Sequence, residues 1–504
     1  MNEIERDFRT QSQHLLWSVW RGLLVGVTAG AVVSLFRWLI AKGAAFSVAI
    51  YKDALHNPLL ILGIVLVNLL VALFIGYLIK QEKDIKGSGI PHVEGELMGL
   101  LHPSWWSVLW RKFVGGVLGI SMGLMLGREG PSIQLGAMTA KGLAEGLKLS
   151  AREKRVLIAA GAAAGLSAAF NAPIAGLLFV VEEVYHHFSR PVWVTALTAS
   201  LVANAVSLRI FGQVSVLAMT EKLPVFPLKD YWILIVLGTF LGVLGYGYEW
   251  VVLRIGKVYQ GLGKIFHLPS HFYGLLAVLF IIPIGLYFPH LLGGGNELIL
   301  ALNGLHPALT VAILYLAIRF VWSMLSFGSG FPGGIFLPIL TLGALSGSVF
   351  AAAFENLGFL QVSQFPIFII LGMAGYFGAV SKAPLTAMIL VTEMVGNLHQ
   401  LMTIGVVTDF MGGEPVYEAM LHNLIAHEPK QVDNIPTMID LPVTDSLAGR
   451  LVKDLTLPDG VLISTQIFQD QSEVVHGDTR LKAGATLYLV VNEGNISQVR
   501  KLFL

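Results

Sequence analysis

The stretch MLGREGPSIQLGA, residues 125–137, sets an arginine beside a glutamate within apolar sequence. A charge is costly to bury in an apolar environment unless it is paired. Glycines and a proline surround the two charges, and Pro131 stands two residues after Glu129. Proline is tolerated in the first turn of a helix, where its missing amide would have no partner. The stretch therefore predicts a helix that begins inside an apolar region, with a carboxylate at its amino end.

The composition indicates an integral membrane protein. The chain has 504 residues, of which 55% are hydrophobic and 13% are charged, against about 25% charged residues in soluble domains. A net charge of +1 gives no indication of a nucleic-acid partner, and the absence of cysteine excludes disulfides and thiolate metal sites. Residues 1–14 are polar, so we expect no cleavable signal peptide.

The histidines show no metal-ligand spacing, and we find no HExxH, GxSxG or phosphate-loop motif. We therefore expect no enzymatic activity, no metal and no cofactor.

Loops rich in glycine and proline recur before apolar segments. They are predicted to be helix amino ends within the membrane, where free N–H groups and a partial positive charge attract an anion. Several such ends meeting at one point would form an anion site without a full positive charge, and the Ser88 hydroxyl could add a donor. The loop residues that we expect at the gate and selectivity site are Gly87, Gly89, Pro91, Gly127, Arg128, Gly130, Pro131, Gly334 and Pro338.

Glu129 would lie in such a field. Its carboxylate could occupy the position of a bound anion, and protonation would remove the attraction and release the side chain. That behaviour describes a gate coupled to a proton. The alternative is a simple ion pair with Arg128, although adjacent residues on a helix point in different directions.

Three further charges have two interpretations each. Glu182 and Glu183 end an apolar helix, which either reaches water there or carries a proton-relaying carboxylate. Lys112 either extends its ammonium to the interface, which we favour slightly, or provides positive potential for the anion.

An internal repeat links the two halves of the chain. Residues 168–184 (AAFNAPIAGLLFVVEEV) resemble residues 378–395 (GAVSKAPLTAMILVTEMV), with Ala172-Pro173 on Ala383-Pro384 and Glu182 on Glu393. LGAM (135–138) likewise parallels LGAL (342–345). Two related halves with broken helices at matching positions are typical of transporters with a site between the repeats.

The sequence changes character after residue 424. Residues 425–434 are predicted to be a polar linker, and residues 435–504 a small soluble α+β domain. We expect strands at 461–468 and 485–492, and a short helix at 446–455 capped by Ser446. A domain of about 70 residues is marginal alone, which favours dimerisation.

The membrane part resembles the CLC family of chloride channels and chloride/proton exchangers. The matching motifs are GSGIP (87–91), GREGP (127–131) and GGIFLP (333–338), supported by GAAAGLSAAFNAPIAG (161–176) and by GEPVY ending at Tyr417. The resemblance covers residues 15–424. It implies an all-α, multi-pass fold of two inverted repeats, about 15–211 and 225–424, with broken and re-entrant helices, in a homodimer with one pore per subunit.

The resemblance also implies the roles of individual residues. Chloride would be held by Ser88, Tyr417 and the amides of Ile335 and Phe336, with Glu129 as the outer gate and Glu183 as the inner proton-transfer group. Serine at position 88 resembles chloride-selective members. The segment 398–411 is about two turns shorter than the family's helix, so it spans only part of the hydrocarbon or lacks a piece, which bears on the placement of Tyr417.

The tail resembles the TrkA-C (RCK-C) regulatory domain, through LPDGVLISTQIF and HGDTRLKAGATLYLVV. Relatives of that domain bind small ligands, including cyclic dinucleotides, at dimer interfaces; the alternative is a dimerising module without a ligand.

Our main hypothesis is proton-coupled chloride antiport across the cell membrane, with both termini cytoplasmic. The alternatives are a passive chloride channel gated by Glu129, and a ligand-sensing protein whose membrane part is secondary.

Overall fold

The computed structural model divides the chain into two compact units, Met1–Leu424 and Ile425–Leu504. It describes residues 3–184, 189–213, 215–218, 226–397, 401–408, 416–425, 436–443, 447–455, 457–458, 460–468, 471–492 and 499. Side chains of residues 3–14 lie outside that description.

Almost all of the first unit's regular structure is helical. Its α-helices are α1 Glu3–Ala54, α2 Pro58–Gln81, α3 Ile90–Leu97, α4 Trp105–Ser121, α5 Glu129–Gly146, α6 Ala151–Phe170, α7 Pro173–Phe179, α8 Arg190–Phe211, α9 Tyr231–Val252, α10 Ile255–Ile265, α11 Gly274–Tyr287, α12 Asn296–Leu305, α13 Leu309–Gly328, α14 Phe336–Asn356, α15 Phe365–Ser381, α16 Pro384–Val395, α17 Leu401–Thr408 and α18 Val416–Ile425.

Among the described residues, eight segments are long and apolar enough to cross a membrane. Helices α3, α7, α16 and α17 have only 7 to 12 residues, whereas a crossing needs about 20. These short helices are the broken and re-entrant elements that the glycine and proline pattern predicts. Helix α3 is buried along its whole length, and a short helix is tolerated at membrane depth where protein surrounds it.

Corresponding helices of the two halves pack in the same way. In the first half, Gly136 of α5 faces Gly161 of α6, and an added Cβ at either position would lie 2.2–2.3 Å from the other's carbonyl oxygen. In the second half, Gly343 of α14 faces Gly372 of α15 at 2.2–2.4 Å. Small residues let membrane helices approach closely. The two pairs therefore hold α5 on α6 and α14 on α15 at the same spacing.

The Ala-Pro breaks also match. The chain turns after α6 at Asn171 and after α15 at Lys382, both with left-handed backbones (φ 55° and 59°). Proline then begins α7 at Pro173 and α16 at Pro384. The internal repeat predicted from sequence is thus a repeat of backbone structure.

The second unit is built on an antiparallel sheet in the order β1–β4–β2–β3. Its strands are β1 Pro436–Pro442, β2 Val461–Phe468, β3 Gln471–Val474 and β4 Thr486–Asn492. β2 and β4 confirm the two predicted strands. The edge strands β1 and β3 were not predicted; β1 carries a proline at each end, which an edge strand tolerates.

The predicted helix at 446–455 is wrong. Residues 447–449 form a turn, Leu451 pairs with Arg480 in an isolated bridge, and Val452–Asp454 form one 3₁₀ turn. Gly449 has φ +82°, which ends any helix there. The proposed cap Ser446 lies outside the described residues.

Candidate anion site and proton path

Three loops are joined by backbone hydrogen bonds. Gly127 and Gly334 donate to each other's carbonyl at 2.7 Å. Gly87 donates to the Gly330 carbonyl at 3.3 Å, and Gly333 donates to the Gly87 carbonyl at 3.1 Å. These bonds bring together the amino ends of α3, α5 and α14, as the sequence predicts.

The first loop places Ser88 against the second. Ser88 is buried, and a Cβ added to Gly130 would lie 2.3 Å from its Oγ. Gly89 precedes α3 with φ +92°, a conformation that only glycine adopts at little cost. Pro91 stands in the first turn of α3. Within the described chain the Ser88 hydroxyl makes no hydrogen bond.

Lys112 overturns our preference for an interfacial position. It is fully buried in α4, and its Nζ donates to the carbonyls of Ile85 at 2.9 Å and Gly87 at 2.7 Å. Those carbonyls satisfy the ammonium, which explains how a charge can lie so deep. Lys112 therefore fixes the backbone immediately before Ser88.

Glu129 is the first residue of α5 and is fully buried. Its Oε1 lies 3.6 Å from Arg128 Nε, too long for a strong hydrogen bond. Its carboxylate interacts electrostatically with the Leu337 amide in the first turn of α14, and neither oxygen has a full hydrogen-bond partner among the described residues. The carboxylate thus lies over the amino end of a neighbouring helix, with Arg128 as a distant ion-pair partner.

The third loop leads into α14 and places the aromatic ring of Phe336 at the start of that helix. Ile335 is the N-cap of α14 and Phe336 its first residue, and both are buried. Pro338 follows within the same turn. The Phe336 ring packs against Phe377 at a centroid distance of 4.5 Å and Phe179 at 5.8 Å.

Tyr417 completes this cluster. It is fully buried near the start of α18, and its ring lies edge-on to Phe179 at 6.4 Å. The Tyr417 hydroxyl has no hydrogen-bond partner among the described residues. It lies within electrostatic range of both Glu129 and Glu183.

The short segment before Tyr417 contains a packed helix in its described part. Helix α17 has eight residues, with Ile404 and Val407 buried, and Gly375 of α15 and Gly378 lie against Val407 and Thr408. The rest of the shortened segment, residues 398–400 and 409–411, lies outside the described residues.

The two glutamates after α7 have different environments. Glu183 lies in a π-helical turn, Val180–Val184, is 3% exposed, and has one carboxylate oxygen without a described partner. It is therefore not a helix end that has reached water. Glu94, Glu182 and Glu418 lie within electrostatic range of it.

Glu182 caps a helix of the other repeat. Its Oε2 accepts hydrogen bonds from the Thr386 amide at 2.8 Å and hydroxyl at 2.7 Å, and its Oε1 accepts from the Leu385 amide at 3.2 Å. These donors belong to the first turn of α16, where a carboxylate is favoured.

Glu393 makes the reciprocal cap. Its Oε2 accepts from the Ala175 amide at 2.8 Å and its Oε1 from the Ile174 amide at 3.2 Å, in the first turn of α7. The sequence alignment of Glu182 with Glu393 therefore identifies two equivalent caps that join α7 to α16.

Sequence reasoning missed Arg37. This buried residue of α1 donates to Asn171 Oδ1 at 2.9 Å and to the Ala168 carbonyl at 3.2 Å, and its guanidinium lies 4.0 Å from the Phe211 ring centre. It is within electrostatic range of Glu129. The available signal was a single arginine within the apolar run SLFRWLI, which in a membrane helix indicates a functional position.

Comparison with known proteins gives consistent matches. The family model of voltage gated chloride channels matches residues 71–409, and the TrkA-C domain model matches residues 437–504. The H(+)/Cl(-) exchange transporter ClcA of Vibrio parahaemolyticus is 32% identical over 435 residues, which are 82% of this chain and 91% of that protein. Its Vibrio cholerae counterpart is 33% identical over 438 residues, with the same coverage of both chains.

A solved structure agrees with the fold. The crystal structure of a slow cyanobacterial Cl⁻/H⁺ antiporter superposes with a TM-score of 0.76 at 28% identity, covering 82% of this chain and 98% of that one. The shared fold and the extent of the family match show that this chain belongs to the voltage gated chloride channel (CLC) family, with a TrkA-C domain at its carboxyl end.

Proposed function

We propose that the protein exchanges chloride for protons. The observation that carries the proposal is the position of the Glu129 carboxylate over the amino end of α14, where free amides favour an anion. The names of the relatives, exchange transporters and an antiporter, support exchange over a passive channel.

Chloride would bind among four groups. The Ser88 and Tyr417 hydroxyls are buried donors without described partners, and the amides of Ile335 and Phe336 begin α14. Hydroxyl and amide donors in a dry site hold an anion strongly, because few competing donors from water are present. Lys112, held behind the first loop, adds positive potential.

Glu129 would act as gate and proton carrier. Ionised, its carboxylate competes with chloride for the amide donors of α14. Protonated, it becomes neutral, loses that attraction and leaves the outer part of the site to chloride. Glu129 thus cannot admit chloride to the outer part of the site without taking up a proton, which couples the two fluxes.

Glu183 would deliver the proton from the inner side. Its burial and the electrostatic contact of Tyr417 with both Glu183 and Glu129 support a route between the two carboxylates. Two further carboxylates, Glu94 and Glu418, lie within electrostatic range of Glu183.

The direct test uses purified protein in liposomes, with a chloride gradient and no initial proton gradient. We expect uphill proton movement driven by chloride, and a proton gradient should drive chloride in turn. Chloride flux without any proton movement would make the protein a passive channel and remove the role of Glu183.

We also propose a homodimer in the plasma membrane, with cytoplasmic termini and a regulatory tail. The TrkA-C match supports a ligand-binding domain, and its small size supports pairing of two copies. Titrating cyclic di-AMP into the full-length protein during flux measurements tests this. Flux that is unchanged by the nucleotide but altered by deletion of residues 430–504 would leave a dimerising role without that ligand.

A further inference from the structure

A cavity opens on the first unit between α1 and the amino-terminal turns of α6 and α8. It has a volume of about 640 Å³ and is lined by Trp17 and Arg21 of α1, Arg152, Val156 and Leu157 of α6, and Pro191 of α8. Two candidate spans, Leu15–Ala54 and Arg190–Phe211, begin at this level. The cavity, here called the N-terminal groove, therefore lies where hydrocarbon meets lipid headgroups. Trp17, 59% exposed, is the residue type enriched at that interface.

One arginine of the groove is held in place. Arg21 donates from Nη2 to Glu153 Oε1 at 2.8 Å. Glu153 also accepts the Ser150 amide at 3.0 Å and hydroxyl at 2.7 Å, in a capping box at the start of α6. The ion pair with Glu153 thus holds the Arg21 side chain against the groove and largely balances its charge.

The other arginine carries the net charge. Arg152 is exposed and makes no ion pair within the described part of the chain. Among the described residues that line the groove, two arginines and one carboxylate give a net charge of +1. The remaining walls of the groove are mostly apolar: Val156, Leu157, Pro191 and the Trp17 ring, with the hydroxyl residues Ser18 and Thr195.

We propose that the N-terminal groove binds one acidic phospholipid per subunit. The phosphate lies against Arg152 and Arg21, and an acyl chain lies along Val156, Leu157 and Trp17. The excess positive charge selects a lipid with net negative charge over a zwitterionic one. Apolar walls at the interface select a lipid over a soluble anion. This site is independent of the chloride pathway proposed above.

Native mass spectrometry of delipidated full-length protein tests the proposal, with phosphatidylglycerol or phosphatidylcholine added back. We expect retained phosphatidylglycerol and little phosphatidylcholine. Arg152→Gln should weaken phosphatidylglycerol binding roughly fivefold, the effect of about 1 kcal/mol per arginine near an anionic lipid. Arg152 is exposed, so this variant should fold normally.

Arg155→Gln is the matched control, because Arg155 is an exposed arginine of the same helix that does not line the groove. It should bind phosphatidylglycerol as the unaltered protein does. Equal losses in both variants, or equal retention of the two lipids, would overturn the proposal. Complete displacement of phosphatidylglycerol by inorganic phosphate would also overturn it, because the groove would then be a plain anion site.

Discussion

The two repeats share a backbone but differ at the positions on which proton coupling depends. Gly127 and Pro131 of the first repeat correspond to Gly334 and Pro338 of the second, and the two loops bond to each other through their first glycines. Between the glycine and the proline, at the first residue of the helix, the first repeat has Glu129 and the second has Phe336. After the caps Glu182 and Glu393, the first repeat has Glu183 and the second has Met394.

This difference separates structural from functional carboxylates. Glu182 and Glu393 agree between the repeats and cap helices reciprocally, so they hold the repeats together. Glu129 and Glu183 have no acidic counterpart in the second repeat. The shared backbone therefore supplies amides for an anion, and the unshared carboxylates make the site sensitive to protons.

Replacing the outer carboxylate should have the largest effect. Glu129→Gln keeps the shape but removes the charge, so we expect proton movement to be abolished while chloride flux persists. The measurement is proton and chloride flux from the same proteoliposomes. Proton movement driven by chloride in this variant would refute the role of Glu129 as carrier.

Glu183→Gln should stop proton movement while leaving the protein folded, because Glu183 caps no helix among the described residues. Glu182→Gln, one residue away, is the control that distinguishes the two roles. It should lower stability while the remaining folded protein still couples protons to chloride. If both variants lose coupling equally, the division between the two glutamates is wrong.

The close glycine contacts predict that alanine substitutions in the two halves lower the stability of the protein by similar amounts. Gly161→Ala and Gly372→Ala each place a Cβ about 2.2–2.3 Å from a backbone oxygen, and such overpacking costs about 1–3 kcal/mol. Thermal unfolding in detergent measures the loss. Gly146→Ala, at a helical position with open space around it, should be neutral or slightly stabilising; a loss there equal to the other two would contradict the packing argument.

The reciprocal caps predict the smallest changes. Glu182→Gln and Glu393→Gln each remove a charge from a helix amino end and should each lower the free energy of unfolding by about 0.5–2 kcal/mol. The same thermal measurement applies. Each carboxylate accepts two amides of the other repeat, so both variants should lose stability, with the larger loss at Glu182, which also accepts the Thr386 hydroxyl. A loss in only one variant would show that the repeats are not joined by both caps.

Much of this arrangement follows from local sequence. Proline in the first turn, after glycine in α5 and after alanine in α7 and α16, identified the starts of these helices, because proline has few other stable positions in an apolar region. Alternation identified β2 and β4. The alignment of the Ala-Pro breaks gave the correct register of Glu182 on Glu393.

Long-range contacts could not be read in the same way. Lys112 follows Arg111 in an otherwise apolar run, and only the fold brings the Ile85 and Gly87 carbonyls to its ammonium. Glu182 meets the α16 amides across more than 200 residues. The helix expected at 446–455 failed because Gly449 and the bridge of Leu451 to Arg480 override local helix propensity.

The pH dependence of chloride flux in the unaltered protein and in Glu129→Gln, measured side by side in proteoliposomes, tests the central claim most directly. A protonated Glu129 no longer competes for the α14 amides, so flux through the unaltered protein should rise as pH falls. Flux through Glu129→Gln, which has no titrating gate, should stay nearly constant over the same range. Equal pH dependence in both proteins would contradict the claim that this one carboxylate joins the gate to the proton.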